Sequence, residues 1–150
     1  MLLLLCVITQ VTTMQTKTYL ELITLPTFKE RLEYLMLYGK VGEDTFGHSR
    51  YLNQALYNSR EWKELRHEIV IRDKGCDLAM EGYEIMTRPT IHHINPITKE
   101  DILNRAPCVF DKNNLVLVSK KTHDLIHYAF DTEGVDEPVI VRSPNDTLLW

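Results

Sequence analysis

Four of the six histidines in this sequence lie between residues 92 and 127, in two closely spaced pairs. His92 and His93 are adjacent in "TIHHINPI", and His123 and His127 are four residues apart in "KKTHDLIHYAF". An imidazole is costly to bury unless its nitrogens have partners, so this concentration needs a shared structural reason. No other feature of the sequence restricts the fold as strongly.

The composition is that of an ordinary globular protein. With 150 residues, of which 44% are hydrophobic and 25% charged, the chain can form one compact domain with a real core. The formal net charge of −4 excludes binding to nucleic acid mainly through a large basic field. Any role on nucleic acid must therefore depend on a local site.

The cysteines and the N-terminus bear on the compartment. The three cysteines are far apart, with no CxxC or CxxxC pair, which predicts neither a zinc knuckle nor a disulfide framework and makes the cytoplasm the default. The apolar run 2–8 is shorter than the roughly 20 residues of a membrane span. We interpret residues 1–13 as a leader outside the fold, with Met14 as the natural start; a weak signal peptide is the alternative.

Helical patterns dominate residues 14–75. Thr27 and Glu30 predict the capping box of a helix over 26–39, with Gly39 as its stop. Further helices are predicted over about 49–57 and from Ser59 to Gly75. The last has interleaved cations and acids on its polar face, which is either an ion-paired solvated surface or a phosphate-contacting one. Its apolar face carries Trp62, Leu65, Ile69 and Val70.

Residues 76–150 follow a different pattern. Short segments before residue 95 suggest irregular β structure, and Thr98 caps a brief helix. "NLVLVS" is a strand, Ser119 caps the helix with the two spaced histidines, and "PVIVR" near the end is a last strand. The predicted class is α+β, a single compact domain in which N-terminal helices pack on a ββα unit formed by residues 90–130.

The histidine spacing favours a metal site. Residues four apart lie on one face of a helix, so His123 and His127 can close on one ion. In an extended segment neighbouring side chains point to opposite sides, so one of His92 and His93 can face the same ion while the other stays free. The arrangement gives three imidazole ligands, an open coordination position and a fourth imidazole beside it, as in catalytic metal sites.

The ligand chemistry points to hydrolysis. An imidazole with an ordinary pKa near 6.5 can take a proton from water at neutral pH, next to an ion that holds a phosphate. Three neutral nitrogens suit zinc, nickel, cobalt or manganese better than magnesium, which prefers oxygen. The expected cofactor is one divalent metal ion (Zn, Ni, Mn or Mg), with the transition metals favoured.

The segments "HHINPI", "NNLVLV" and "KKTHDLIH" resemble the signature of HNH endonucleases of the ββα-metal (His-Me finger) type, with a three-histidine motif similar to that of nuclease colicins. The resemblance implies that His92, His123 and His127 are metal ligands and that His93 is the general base. It also implies that Asn114 fixes the loop that orients this base, a task that suits an amide.

The wider chain is similar to small HNH proteins of bacteriophages and prophages. This implies a metal-dependent DNA endonuclease of the host cytoplasm, which nicks or cuts duplex DNA during phage DNA processing or packaging, with the terminase as a protein partner. No membrane partner is expected. Ser119 and Thr122 stand where many members have a second cysteine pair, and no second cysteine lies at CxxC spacing from Cys76, so no structural zinc knuckle is expected.

Several alternatives remain at this stage. The chain could be a non-catalytic, metal-containing packaging or morphogenesis factor of a phage, although intact His93 and Asn114 argue against this. It could also be an RNA-cleaving member, since a phosphate and a shallow groove look alike to a small site. Lys120 and Lys121 are either phosphate contacts or ordinary exposed cations. His48 and His67 are interpreted as surface or packing histidines.

Overall fold

The structure, a computed structural model, describes residues 16–38 and 50–133. Within these ranges the chain is a mixture of helices and one small antiparallel sheet, which confirms the α+β class at this level. No helix in the described residues is long and apolar enough to cross a membrane. The leader, the Met14 start, Gly39, His48 and the strand predicted at 138–142 lie outside the described residues.

Seven helices and two strands make up the regular structure of the described ranges. The helices before the sheet are α1 (Tyr19–Thr24), α2 (Phe28–Leu35), α3 (Arg50–Asn58) and α4 (Arg60–Arg72). Strands β1 (Thr90–His93) and β2 (Leu115–Val118) enclose the short helices α5 (Lys99–Leu103) and α6 (Pro107–Phe110), and α7 (Lys120–Tyr128) follows β2.

Side-chain caps set most of the helix starts, as the sequence predicts. Both capping boxes are present, Thr27 with Glu30 in α2 and Thr98 with Asp101 in α5. The predicted end of α2 was wrong, since the helix stops at Leu35. The amide of Leu37 instead donates to a carbonyl of α7, at 3.0 Å, so the chain leaves the helix to pair with α7.

Strand β2 divides the hydrophobic core into two clusters. All four of its residues are buried, and successive side chains of a strand point to opposite faces. Val116 and Val118 belong to the first cluster, which includes α1, α2 and Ile126 of α7. Leu115 and Leu117 belong to the second, whose other members include Leu56, Trp62, Leu65, Ile69 and Val109. The predicted apolar face of α4 therefore packs on one side of the sheet and α7 on the other.

The segment after α4 is in part the irregular β structure predicted for it, because an isolated antiparallel bridge joins Cys76 and Glu84. Residues Asp77–Ala79 form a 3-10 turn in which Leu78 has a φ of 52° and Ala79 a φ of 54°. The buried guanidinium of Arg31 donates to the carbonyls of both residues, at 2.8 and 3.0 Å. These bonds offset the strain of left-handed backbone at residues other than glycine. The turn thereby holds Asp77 in the position from which it contacts α7.

Candidate metal centre

The alternation of β1 sends its two histidines to different halves of the core. In the antiparallel register His92 lies opposite Val116 and His93 opposite Leu115. Residues opposite one another in a sheet share a face, so His92 faces α7 and the first cluster. His93 faces α4 and the second cluster. The spacing of the histidines alone does not decide which of the two turns towards α7, whereas the resemblance implies His92, and the register places His92 there.

Helix α7 is anchored at its start by a buried carboxylate. Ser119 caps the helix by accepting from the amide of Thr122 at 3.1 Å. Asp77, which is 2% exposed, accepts from the Ser119 amide at 3.1 Å and from the Thr122 hydroxyl at 2.6 Å. The carboxylate thus fixes the first turn of α7. It also fixes the position of His123, which directly follows Thr122.

Three histidines converge between β1 and α7. One ring nitrogen from each of His92, His123 and His127 lies within 4.8 Å of the others. The ring centroids of His123 and His127 are 4.4 Å apart, and that of His92 lies 5.5 and 5.2 Å from them. Nitrogens bound to one tetrahedral zinc at about 2.1 Å would be about 3.4 Å apart, so small side-chain rotations bring all three onto one ion. The triad could therefore hold a metal ion.

The environment of His92 supports this conclusion. The side chain is 3% exposed, and its buried Nε2 has no hydrogen-bond partner among the described residues. A buried polar atom without a partner costs about 1–3 kcal/mol, and a metal ion would satisfy it. Three imidazoles and no carboxylate form the donor set, which fits a transition metal better than magnesium. The residues present therefore fit the ion that the sequence predicts.

The triad is also held in the neutral form that metal binding requires. Burial lowers the pKa of His92 well below its ordinary value, and His127 and His123 lower it further. Burial is also the main reason that the pKa of His127 is lowered to about 4, with a further contribution from His123. The pKa of His123 is lowered by burial, against the opposing effect of Asp124. Since a proton and a metal compete for the same lone pair, this environment favours the metal.

His93 lies outside the triad, in a half-buried position between α4 and α6. Its Nε2 is 3.1 Å from the carbonyl oxygen of Val109. Because a carbonyl can only accept, this contact places the proton on Nε2 and leaves the lone pair on Nδ1. Burial lowers the pKa of His93, while the bond to Val109 raises it. The ring also stacks on Trp62, with centroids 5.5 Å apart.

Asn114 joins the loop after β1 to the single turn of α6 that contains Val109, called the Val109 turn below. Its Oδ1 accepts from the amide and the side chain of Asn95, both at 2.8 Å. Its Nδ2 donates to the carbonyl of Cys108 at 2.9 Å. Cys108 directly precedes Val109, so Asn114 steadies the carbonyl that contacts His93. This contact pattern is of the kind that the resemblance implies for Asn114.

Sequence analysis missed three residues that support the centre. Asn95 bonds to Asn114 and also to the backbone of Lys17, to which it donates at 2.7 Å and from which it accepts at 3.0 Å. Asp77 anchors α7, and Trp62 contacts His93. Asn95 and Asp77 are polar residues next to predicted elements, but their partners are far away in sequence. Only Asn95 had a local signal for a role at the site, because it lies in the "HINP" segment that contains His93.

The cations near the centre are largely engaged within the protein. Lys120 pairs with Asp124 at 2.5 Å, whereas Lys121 is exposed. On α4, Arg60 pairs with Glu64 at 2.7 Å, and Glu61 and Glu68 pair with Arg105 and Lys112. Of the two interpretations of the α4 surface, the ion-paired one describes its contacts. Phosphate binding by this surface stays a prediction.

No family model, curated protein or solved structure matches this chain. Its function must therefore be inferred from its own residues. Those residues offer three neutral imidazoles, of which two are buried and one is half-buried, a separate imidazole with its lone pair on Nδ1, and an amide that steadies the loop between them.

Proposed function

We propose that this chain is a metal-dependent HNH endonuclease that hydrolyses phosphodiester bonds of DNA. The observation that carries the proposal is the convergence of His92, His123 and His127 within 4.8 Å. A fourth histidine, His93, lies next to His92 on β1. The antiparallel pair β1–β2 followed by α7 fits a ββα-metal unit in element order. Asn114 occupies the position, and makes the loop contacts, that the HNH signature requires of its middle residue.

The three triad histidines would hold the metal ion. A divalent ion bound there supplies a Lewis acid that polarises a phosphate oxygen and stabilises charge on the leaving oxygen. The triad contributes no negative charge, so it does not weaken that effect. His92 and His127 are buried and His123 is half-buried, and β1 and α7 fix the three rings relative to one another.

His93 acts as the general base. Its Nδ1 accepts a proton from the attacking water, while Nε2–H remains bonded to the Val109 carbonyl. The water oxygen forms a bond to phosphorus as the bond from phosphorus to the 3′ oxygen breaks. The leaving 3′ oxygen takes a proton from solvent water, so the products are a 5′-phosphate and a 3′-hydroxyl. Asn114 keeps the Val109 turn in place throughout, so the imidazole does not have to reorient during the reaction.

The biological setting is proposed from the wider resemblance. Small HNH proteins of phages act in DNA processing or packaging, and a terminase is the partner that this setting predicts. The net charge of −4 is consistent with delivery to DNA by such a partner, because the chain lacks a strong basic field of its own. Lys121 is an exposed cation in the first turn of α7, the helix that carries two of the triad histidines, and is a candidate for a phosphate contact.

The proposal is tested with supercoiled plasmid. Protein stripped with a chelator is supplied with Mg, Mn, Ni or Zn, and the wild type is compared with His93→Ala and His127→Ala. We expect metal-dependent nicking or cutting by the wild type. His93→Ala should lose a hundredfold or more in rate, roughly the contribution of a general base, while it still binds metal. His127→Ala should lose metal affinity and activity together.

His67→Ala is the matched control, because His67 is an exposed histidine of α4 away from the triad. It should retain both metal binding and cleavage. A wild type that binds metal but cleaves neither DNA nor RNA, even with a terminase present, would overturn the proposal in favour of a non-catalytic packaging factor. Cleavage of RNA but not of DNA would change the proposed substrate to RNA and leave the proposed hydrolytic mechanism unchanged.

A further inference from the structure

Trp62 lies against the ring of His93 where α4 meets the sheet. Their ring planes differ by only 25°, with centroids 5.5 Å apart. Trp62 is 4% exposed and is itself held by Tyr57 and Phe110, whose centroids lie 5.3 and 6.5 Å from its own. The backbone amide of Trp62 donates to the Ser59 cap at 3.2 Å, which fixes the backbone of Trp62 in the first turn of α4.

Stacking and hydrogen bonding restrict different motions of the imidazole. A flat indole face fixes the plane of the His93 ring, but it allows a 180° flip that leaves the ring in the same plane. The bond from Nε2 to Val109, at 3.1 Å, selects one of the two flipped orientations. If the ring could tilt away from the indole, this bond would weaken, because hydrogen bonds lose strength steeply with angle.

We propose that Trp62 is a positioning residue for His93. The indole face of Trp62 keeps the imidazole in the plane in which Nε2–H reaches the Val109 carbonyl and Nδ1 is left to accept a proton. The catalytic meaning of this inference rests on the proposed function. The orientation of the ring is a property of the folded protein in either case. The competing explanation is that Trp62 only fills the second core cluster, to which it belongs.

The test separates orientation from packing with substitutions at Trp62 and Leu65. Trp62→Phe keeps a flat ring, whereas Trp62→Leu keeps apolar volume without a flat face. Leu65→Ala is the control, since Leu65 is a buried residue of α4 in the same cluster. Each zinc-loaded variant is compared for urea midpoint, zinc affinity, kcat and KM. The tautomer of His93 is read from nitrogen-15 NMR at one pH of about 8, above the ordinary histidine pKa.

We expect Trp62→Leu to lower kcat roughly ten- to a hundredfold with little change in KM or zinc affinity. Its His93 should show a mixture of tautomers, whereas the wild type and Trp62→Phe should show the Nε2–H form alone. Leu65→Ala should lower the urea midpoint but keep kcat and the single tautomer. If Trp62→Leu fails to fold, Tyr57→Leu should show the same changes more weakly, because Tyr57 is 46% exposed and supports Trp62.

A single Nε2–H tautomer in Trp62→Leu would overturn the inference. So would an equal loss of kcat in a Leu65→Ala variant of matched stability. If the wild type proves inactive, the proposed function fails separately, and the tautomer measurement alone decides the inference: a mixture that appears only without the flat ring supports it.

Discussion

At the scale of single residues, His92 and His93 are neighbours in sequence with different surroundings. Strand geometry turns one into a buried site beside α7 and the other towards Trp62 and Val109. The same burial that favours a neutral, metal-binding His92 would leave it without a partner in the absence of an ion. A chain selected only for stability would gain from an apolar residue at this position, so the cost indicates a function.

The lowered histidine pKa values predict how the stability of the metal-free protein depends on pH. The folded pKa of His127 is about 4, below the ordinary value of 6.5. Between these values the unfolded chain binds a proton that the folded chain does not, so stability is present above pH 6.5 and is lost as the pH falls towards 4. Burial gives His92 and His123 shifts of the same sign. Urea unfolding of chelator-treated protein across this range should therefore show a falling free energy of unfolding.

The matched variants for this experiment are His127→Asn and the exposed His67→Asn. The first should flatten the pH dependence, and the second should retain it. Asp77 acts with the opposite sign at the acid end, because burial raises its pKa and the folded state then gains its proton first. A free energy of unfolding that stays constant between pH 7 and pH 4.5 would contradict the assigned burial of the triad.

Replacement of Asn114 should separate loop order from metal binding. Asn114→Ala removes the partner of the Asn95 amide and of the Cys108 carbonyl, at a side chain that is 5% exposed. With about 1–3 kcal/mol for each of the two groups left unpaired, the free energy of unfolding should fall by about 2–6 kcal/mol. Cleavage should fall much more than zinc affinity, because Asn114 touches the Val109 turn and none of the triad.

Urea unfolding, zinc titration and plasmid cleavage on the same preparation test this prediction. Asn113→Ala is the control, since Asn113 is an exposed neighbour. It should change none of the three measurements substantially. Equal losses of zinc affinity and cleavage in Asn114→Ala would mean that Asn114 supports the triad rather than His93.

At the scale of elements, the parts with local signals were predictable from sequence. The Ser119 cap predicts helix α7, and the alternating pattern of side chains predicts strand β2. The capping boxes predict α2 and α5. The i, i+4 spacing was enough to place His123 and His127 together. Helix α1 was missed because six residues are too few to show helical periodicity.

The supporting contacts were not predictable, because their two partners are far apart in sequence. Asp77 bonds to Ser119 and Thr122 across 42 and 45 residues, and Asn95 to Lys17 across 78. Neither contact leaves a periodic pattern. The alternation of the strand alone also does not choose between His92 and His93, because the choice depends on the side of the sheet on which α7 packs; only the resemblance predicts His92.

The anchoring of α7 by Asp77 predicts a link between a hydroxyl and metal affinity. Thr122→Val keeps the side-chain shape but removes the donor to the buried carboxylate, so about 1.5–3 kcal/mol of stability should be lost. His123, a proposed metal ligand, directly follows Thr122 in α7. Zinc affinity should therefore fall roughly tenfold, as it does when residues that orient metal ligands are changed.

Calorimetric zinc titration measures this effect, with Thr98→Val as the control. Thr98 caps α5 through an exposed capping box, away from the triad. Its loss should cost about 1 kcal/mol of stability and leave zinc affinity unchanged. Unchanged affinity in Thr122→Val would show that the ligand helix is held in place by its packing alone.

At the scale of the whole molecule, charge is the property that decides how the chain could meet DNA. The net charge is −4, and many surface cations of the described residues already have acidic partners. Each phosphate contact that releases counterions lowers log K by about 0.9 per unit of log salt concentration. A chain with few cations to spare can make few such contacts, and its affinity must come from the site.

The salt dependence of DNA binding should consequently be shallow. We expect a slope of log K against log salt near −3, which corresponds to about three phosphate contacts, for a cleavage-deficient His93→Ala protein loaded with zinc. Lys121→Ala should reduce the slope by about 1, because Lys121 is an exposed cation in the first turn of α7, the helix that carries two of the triad histidines. Lys29→Ala is the control, since Lys29 already pairs with Glu33 on α2 at 4.0 Å. A slope near −9 would mean that a broad basic surface binds the DNA, and the site-centred description of this protein would then be wrong.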